Sequence, residues 1–189
     1  MPLRISFNLG DAELQHLEAV AQQTQVRARE SSAQAIIESA SGVLQSAEGS
    51  HAAAFVQERF ARLRAMIEMA QDEDWLLGDE DSRRLINALA CFSVPPTTPV
   101  TVGLLDHAIM IELVSRDLEH DLASYRDFCE FRESQQSGRR RPGVEQDAQR
   151  EEWLHQRREV LQSRMHARRK RTLDAAGSSV RRLFSLFGL

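Results

Sequence analysis

Four times in this 189-residue chain a carboxylate stands three positions before a histidine: Glu13 with His16, Glu48 with His51, Asp117 with His120, and Glu152 with His155. On a helix that spacing sets both side chains on one face, the arrangement used in carboxylate-bridged metal bundles. A metal needs such pairs to converge, whereas His51 adjoins Gly49 and Ser50 and His155 falls in a basic stretch. Acid and histidine at this spacing also form ordinary solvated ion pairs, which is the favoured reading. Asp106 and His107 are a second candidate, adjacent polar residues inside the apolar run VGLLDHAIMIELV. They could be ligands, but Asp106 can cap helix amides and His107 can satisfy a core carbonyl. The weak metal candidates are therefore Asp106, His107, Asp117 and His120, and neither a metal nor any other cofactor is expected. No serine or cysteine nucleophile has an assignable base, and there is no glycine-rich phosphate loop or paired CxxC. The chain reads as non-enzymatic.

Two further groups suit polyanions. Residues 1–137 hold 11 arginines against 22 acids, while residues 138–189 hold 13 basic residues against 6 acids, so a net charge of -4 hides an acidic body and a basic end. Such an end either meets an anionic surface or folds back on the body. In VRRLFSLFGL, Arg181 and Arg182 precede Leu183, Phe184 and Phe187 on one helical face, and the run from Arg164 to Arg171, with Arg168 and Arg169, lies before it. That pattern resembles an interfacial anchor that sets apolar side chains beneath anionic headgroups. At the other end, RISFNLGDAELQHLEAVAQQT followed by SSAQAIIESA looks like a ribbon-helix-helix repressor, with Arg4, Ser6 and Asn8 as base-reading positions. The intervening QVRARES is longer than that fold uses, and the surrounding body is acidic.

The elements that must position these groups follow from periodicity. Leu3, Ile5, Phe7 and Leu9 alternate with polar residues as a strand does, and Gly10 and Asp11 end it and cap a helix carrying Leu14, Leu17, Val20 and Ala21. Further helices are expected over 32–47, with Ile36, Ile37, Ala40, Val43 and Leu44 inward, and over 51–71, burying Phe55, Phe60, Leu63, Ile67 and Ala70. Asp79 or Asp81 caps the next, which Pro95, Pro96 and Pro99 stop. A long helix opened by Gly103 or Asp106 then runs to about Glu133, its inward face Leu104, Ile111, Val114, Leu118, Leu122, Tyr125 and Cys129. Its apolar part is too short to span a bilayer. SGRRRPG is a linker by composition, and a charged helix covers about 147–173.

The expected fold is mainly α: a helical bundle of about five helices with one N-terminal β-strand, plus a basic C-terminal helical appendage. Residues 1–135 form the acidic helical domain, 136–146 a linker, and 147–189 the basic helix and amphipathic tail. A lone strand needs partners for its amides and carbonyls, so a homodimer joined by a two-stranded antiparallel ribbon is expected. Cys91 and Cys129 lie far apart, and no charged start leads into an apolar signal segment, so a reducing cytoplasmic setting is expected.

FVQERFARLRAMIEMAQDEDWLL, then INALACF before a proline turn, then GLLDHAIMIELVSRDLEHDLASYRDFCEFRE resemble the YkvA-like family of bacterial proteins of unknown function. The narrow family domain covers roughly 84–115, within a hairpin over 84–132. The resemblance implies a helical hairpin and is nearly silent on activity. Where the family carries a Pro-x-Asp-x-Ile-Pro-Asp type loop, this chain has a shortened stretch from Val94 to Val102 without the acids, and Asp106 and His107 stand where the family has paired aspartates. Together these features point to a cytoplasmic interaction protein whose partner is a protein or the inner membrane surface. The alternatives are a ribbon-type DNA-binding regulator and a metal-binding bundle.

Overall fold

The computed structural model describes residue 26 and residues 29–48, 52–93, 100–137 and 144–175. The expected N-terminal strand with Arg4, Ser6 and Asn8, the turn at 94–99, and the tail with Arg181, Arg182, Leu183, Phe184 and Phe187 lie outside those residues. The described part is mainly α, a bundle of six helices: α1 (Ala33–Glu48), α2 (Ala54–Gln71), α3 (Asp79–Ala90), α4 (Val100–Asp117), α5 (Glu119–Ser137) and α6 (Val144–Ala175). α2 packs against α1, α3, α4 and α5, and α6 lies along α5.

Periodic apolar residues place the helices as the sequence predicts. On α1, Ile36, Ile37 and Ala40 are buried, with Val43 and Leu44 packed at the edge. The side chain of Ser32 accepts from the Ala35 amide (3.2 Å), satisfying one of the donors that a helix start leaves open. On α2, Phe60, Leu63 and Ile67 are buried as expected, while Val56, Met66 and Met69 supply more of the core than Phe55 and Ala70, which are half-covered.

Three local expectations are corrected. α3 starts at Asp79 behind an extended Gly78 with no side-chain cap bond, so neither Asp79 nor Asp81 is the cap. Asp81 is buried and bonded to α6 instead. α4 opens at Val100, which puts exposed Asp106 in its second turn rather than at its start. Finally, the long helix divides at Leu118 into α4 and α5.

The division is slight, because Leu118 still donates to Val114 O (3.2 Å) and Leu122 to Leu118 O (2.8 Å). The guanidinium of Arg84 approaches Asp117 O at 3.5 Å while it binds the carboxylates of Asp117 and Asp121 on either side of the junction. A side chain drawn to the backbone ladder is a recognised cause of helix bending. The expected inward face continues across the division: Leu104, Ile111, Val114, Leu118 and Tyr125 are buried, and Leu122 and Cys129 partly so.

The basic helix beyond the linker shares this core through buried Leu154, Leu161 and Met165. Between α2 and α3 the turn at 72–78 inserts Trp75, fully buried, against Tyr125 and Phe128 at ring-centroid distances of 5.8 and 5.1 Å. Asp72 organises that turn. Its Oδ1 accepts from the amides of Asp74 and Trp75, and its carboxylate takes the Tyr125 hydroxyl (2.9 Å) and Arg132 (2.8 Å). No described helix is long and apolar enough to cross a membrane.

Candidate functional site

α6 carries two kinds of cation, and helical geometry sorts them. One edge faces the body, where His166 and Arg169 reach Asp81 on α3 and Asp121 on α5. His166 Nε2 lies 2.7 Å from Asp81 Oδ2, and Arg169 Nη1 donates to Asp81 Oδ1 (2.8 Å) and Asp121 Oδ1 (3.3 Å). Arg84 on α3 completes the junction by pairing with Asp117 and Asp121. Three carboxylates and two guanidiniums thus join four helices, with the acids well covered: the side chains of Asp81, Asp117 and Asp121 are 6, 7 and 2% exposed.

The electrostatics differ between the two central acids. Burial opposes the charge of Asp81, but hydrogen bonds from His166 and Arg169 outweigh it and hold the carboxyl below its ordinary value. For Asp121 burial wins. Arg84 and Arg169 pull its pKa down, Asp81 and Asp117 push it up, and the result lies above the ordinary value. Asp121 Oδ2 is buried without a hydrogen-bond partner. Such a junction fixes one helix arrangement, since exchanging either partner leaves a buried charge uncompensated.

Arg158 and Gln162 extend the clamp by donating to the turn carbonyls of Asp74 (2.9 Å) and Trp75 (2.9 Å). Thr172 bonds His120 Nε2 at 2.8 Å. The opposite edge of α6 leaves Arg164, Arg168 and Arg171 exposed, and Lys170 is exposed on another side of the helix. Arg164, Arg168 and Arg171 thus present a cationic edge on the helix held by the junction, near its C-terminal end.

The metal candidates do not converge. Asp117 binds Arg84, His120 binds Thr172, Asp106 is exposed, and half-buried His107 packs near Phe92 with ring centroids 6.2 Å apart. Burial lowers the His107 pKa, while neighbouring Asp106 raises it by less. In the remaining described pair, Glu152 accepts from Gln156, and His155 meets Arg158 and Glu159. Among the described residues no three His, Cys, Asp or Glu side chains are grouped to hold a metal ion.

One expected contact is corrected. Arg169, read from sequence with Arg168 as a surface cation, is mostly covered and paired with Asp81 and Asp121 in the junction; its neighbour Arg168 is exposed. The 100° step between adjacent helical residues separates them. Sequence reasoning read Asp81 as a helix cap and missed the roles of Arg84, Asp121 and His166. These residues lie on three separate helices, and no local spacing joins them.

Comparison with protein-family models, curated proteins and solved structures gives no match.

Proposed function

We propose that the chain is a non-enzymatic, cytoplasmic interaction protein of the YkvA-like type, held at an anionic membrane surface by its basic C-terminal part. The observation that carries this reading is the partition of cations on α6. His166 and Arg169 bind the body, whereas Arg164, Arg168, Lys170 and Arg171 remain exposed just before a sequence that is amphipathic by pattern. Clustered cations beside apolar residues suit a peripheral anchor, in which each Lys or Arg near anionic headgroups contributes about 1 kcal/mol. The hairpin residues over 84–132 support the family reading.

Sedimentation of the full chain with phosphatidylglycerol-containing vesicles tests it, beside a version ending at Gly177 that retains all of α6. The full chain binds in a salt-sensitive way, and the shorter version binds at least about thirtyfold more weakly because it lacks Arg181, Arg182 and the apolar residues that follow them. Absence of vesicle binding by the full chain overturns the proposal. A ribbon-type DNA-binding role predicts different behaviour: loss of DNA binding with Arg4→Ala or Asn8→Ala, and retention without residues 178–189.

A further inference from the structure

Beyond its exposed arginines, the outer face of α6 carries large apolar side chains. Trp153 is 39% and Val160 44% exposed, seven residues apart and so on one line of the helix. They line a shallow groove with Phe131 of α5, Gln156 and Arg157. The Arg157 guanidinium sits over the Phe131 ring, 5.4 Å from its centroid. Continuing along the same line come Arg164, Arg168 and Arg171. From Trp153 to Arg171 the line is about 27 Å long and occupies about 80° of the helix circumference.

Charge is segregated around this line. On α6, Glu151, Glu152 and Glu159 fall on other sides, about 100° or more from its centre, and Asp174 lies almost a turn past Arg171. A tryptophan and a valine interleaved with arginines, and free of acids, complement a surface that is anionic at its boundary and apolar just beneath. A nucleic acid would match the arginines but offers no apolar layer to Val160.

Resting on the membrane reading above, we propose that this face of α6 is itself a bilayer-contacting surface: Trp153 and Val160 enter the headgroup boundary while Arg157, Arg164, Arg168 and Arg171 meet anionic lipid. The helix, and not the tail alone, then sets how the body sits on the membrane. The fixed clamp through Asp81 and Asp121 keeps that orientation.

The chain's two tryptophans make the test direct, because Trp75 is fully buried and Trp153 is exposed. Full-length protein is mixed with phosphatidylglycerol vesicles containing brominated-acyl phosphatidylcholine, and tryptophan emission is followed. The wild type shows a blue shift and quenching; Trp153→Phe, which leaves Trp75 as reporter, binds the vesicles with neither change. Arg164→Gln/Arg168→Gln/Arg171→Gln weakens vesicle affinity by about a hundredfold. Vesicle binding with Trp153 unquenched overturns this inference and leaves the tail as the anchor. No vesicle binding overturns both readings, and tight binding to a short DNA duplex under those conditions would redirect the arginines to nucleic acid.

Discussion

Asp81 and Asp121 meet the same guanidinium and respond to acid in opposite directions. Asp81 has a lowered pKa, so its stabilising contribution is present above the ordinary carboxylate value of 3.8 and is lost as pH falls through the lowered value. Asp121 has a raised pKa, so its contribution is complete below 3.8 and disappears as pH rises through the raised value. Replacing Asp81 with alanine leaves Arg169 with Asp121 alone and removes the carboxylate facing His166, and the expected cost is about 2 kcal/mol by urea unfolding at neutral pH. His107 adds a separate dependence. Its lowered pKa makes the unfolded chain bind the proton first, so stability falls as pH drops below 6.5. His107→Gln should reduce that loss when unfolding is compared at about pH 7.5 and about pH 5.5. An unchanged slope would exclude His107 as its source.

Adjacent residues on α6 separate stability from surface recognition. Arg169→Ala removes a guanidinium from two buried aspartates and should cost about 3 kcal/mol, whereas Arg168→Ala at an exposed position should change stability by no more than about 0.5 kcal/mol. Equal unfolding midpoints for the two variants would contradict the clamp. The turn that receives α6 offers a second element-scale test. Leu76 has φ 44° and is 59% exposed, so its side chain adds strain and little burial. Leu76→Gly relieves the left-handed strain, offset by greater unfolded-chain freedom, and a net gain of about 0.5 kcal/mol is expected from thermal or urea unfolding.

Across the whole molecule, what was legible in the sequence was what local periodicity encodes. The inward faces of α1, α2, α4 and α5 follow from apolar spacing, and the helical course of α6 from its charged, proline-free composition. The junction was not legible, because it joins Asp81 to residues 85 and 88 positions away, and first-turn acids already have a local explanation in the helix dipole. Nor could spacing alone distinguish the inward Arg169 from the outward Arg168 without the partners on α3 and α5. The resulting body presents one cationic edge on a helix fixed from within, and attachment to an anionic membrane is the central claim. The decisive measurement is flotation of the full chain with phosphatidylglycerol-containing and neutral phosphatidylcholine vesicles at about 0.05 M and about 0.5 M salt, conditions that change electrostatic screening severalfold. The account predicts flotation with the anionic vesicles at low salt and its loss at high salt or with neutral lipid; failure to float with anionic vesicles at low salt would contradict it.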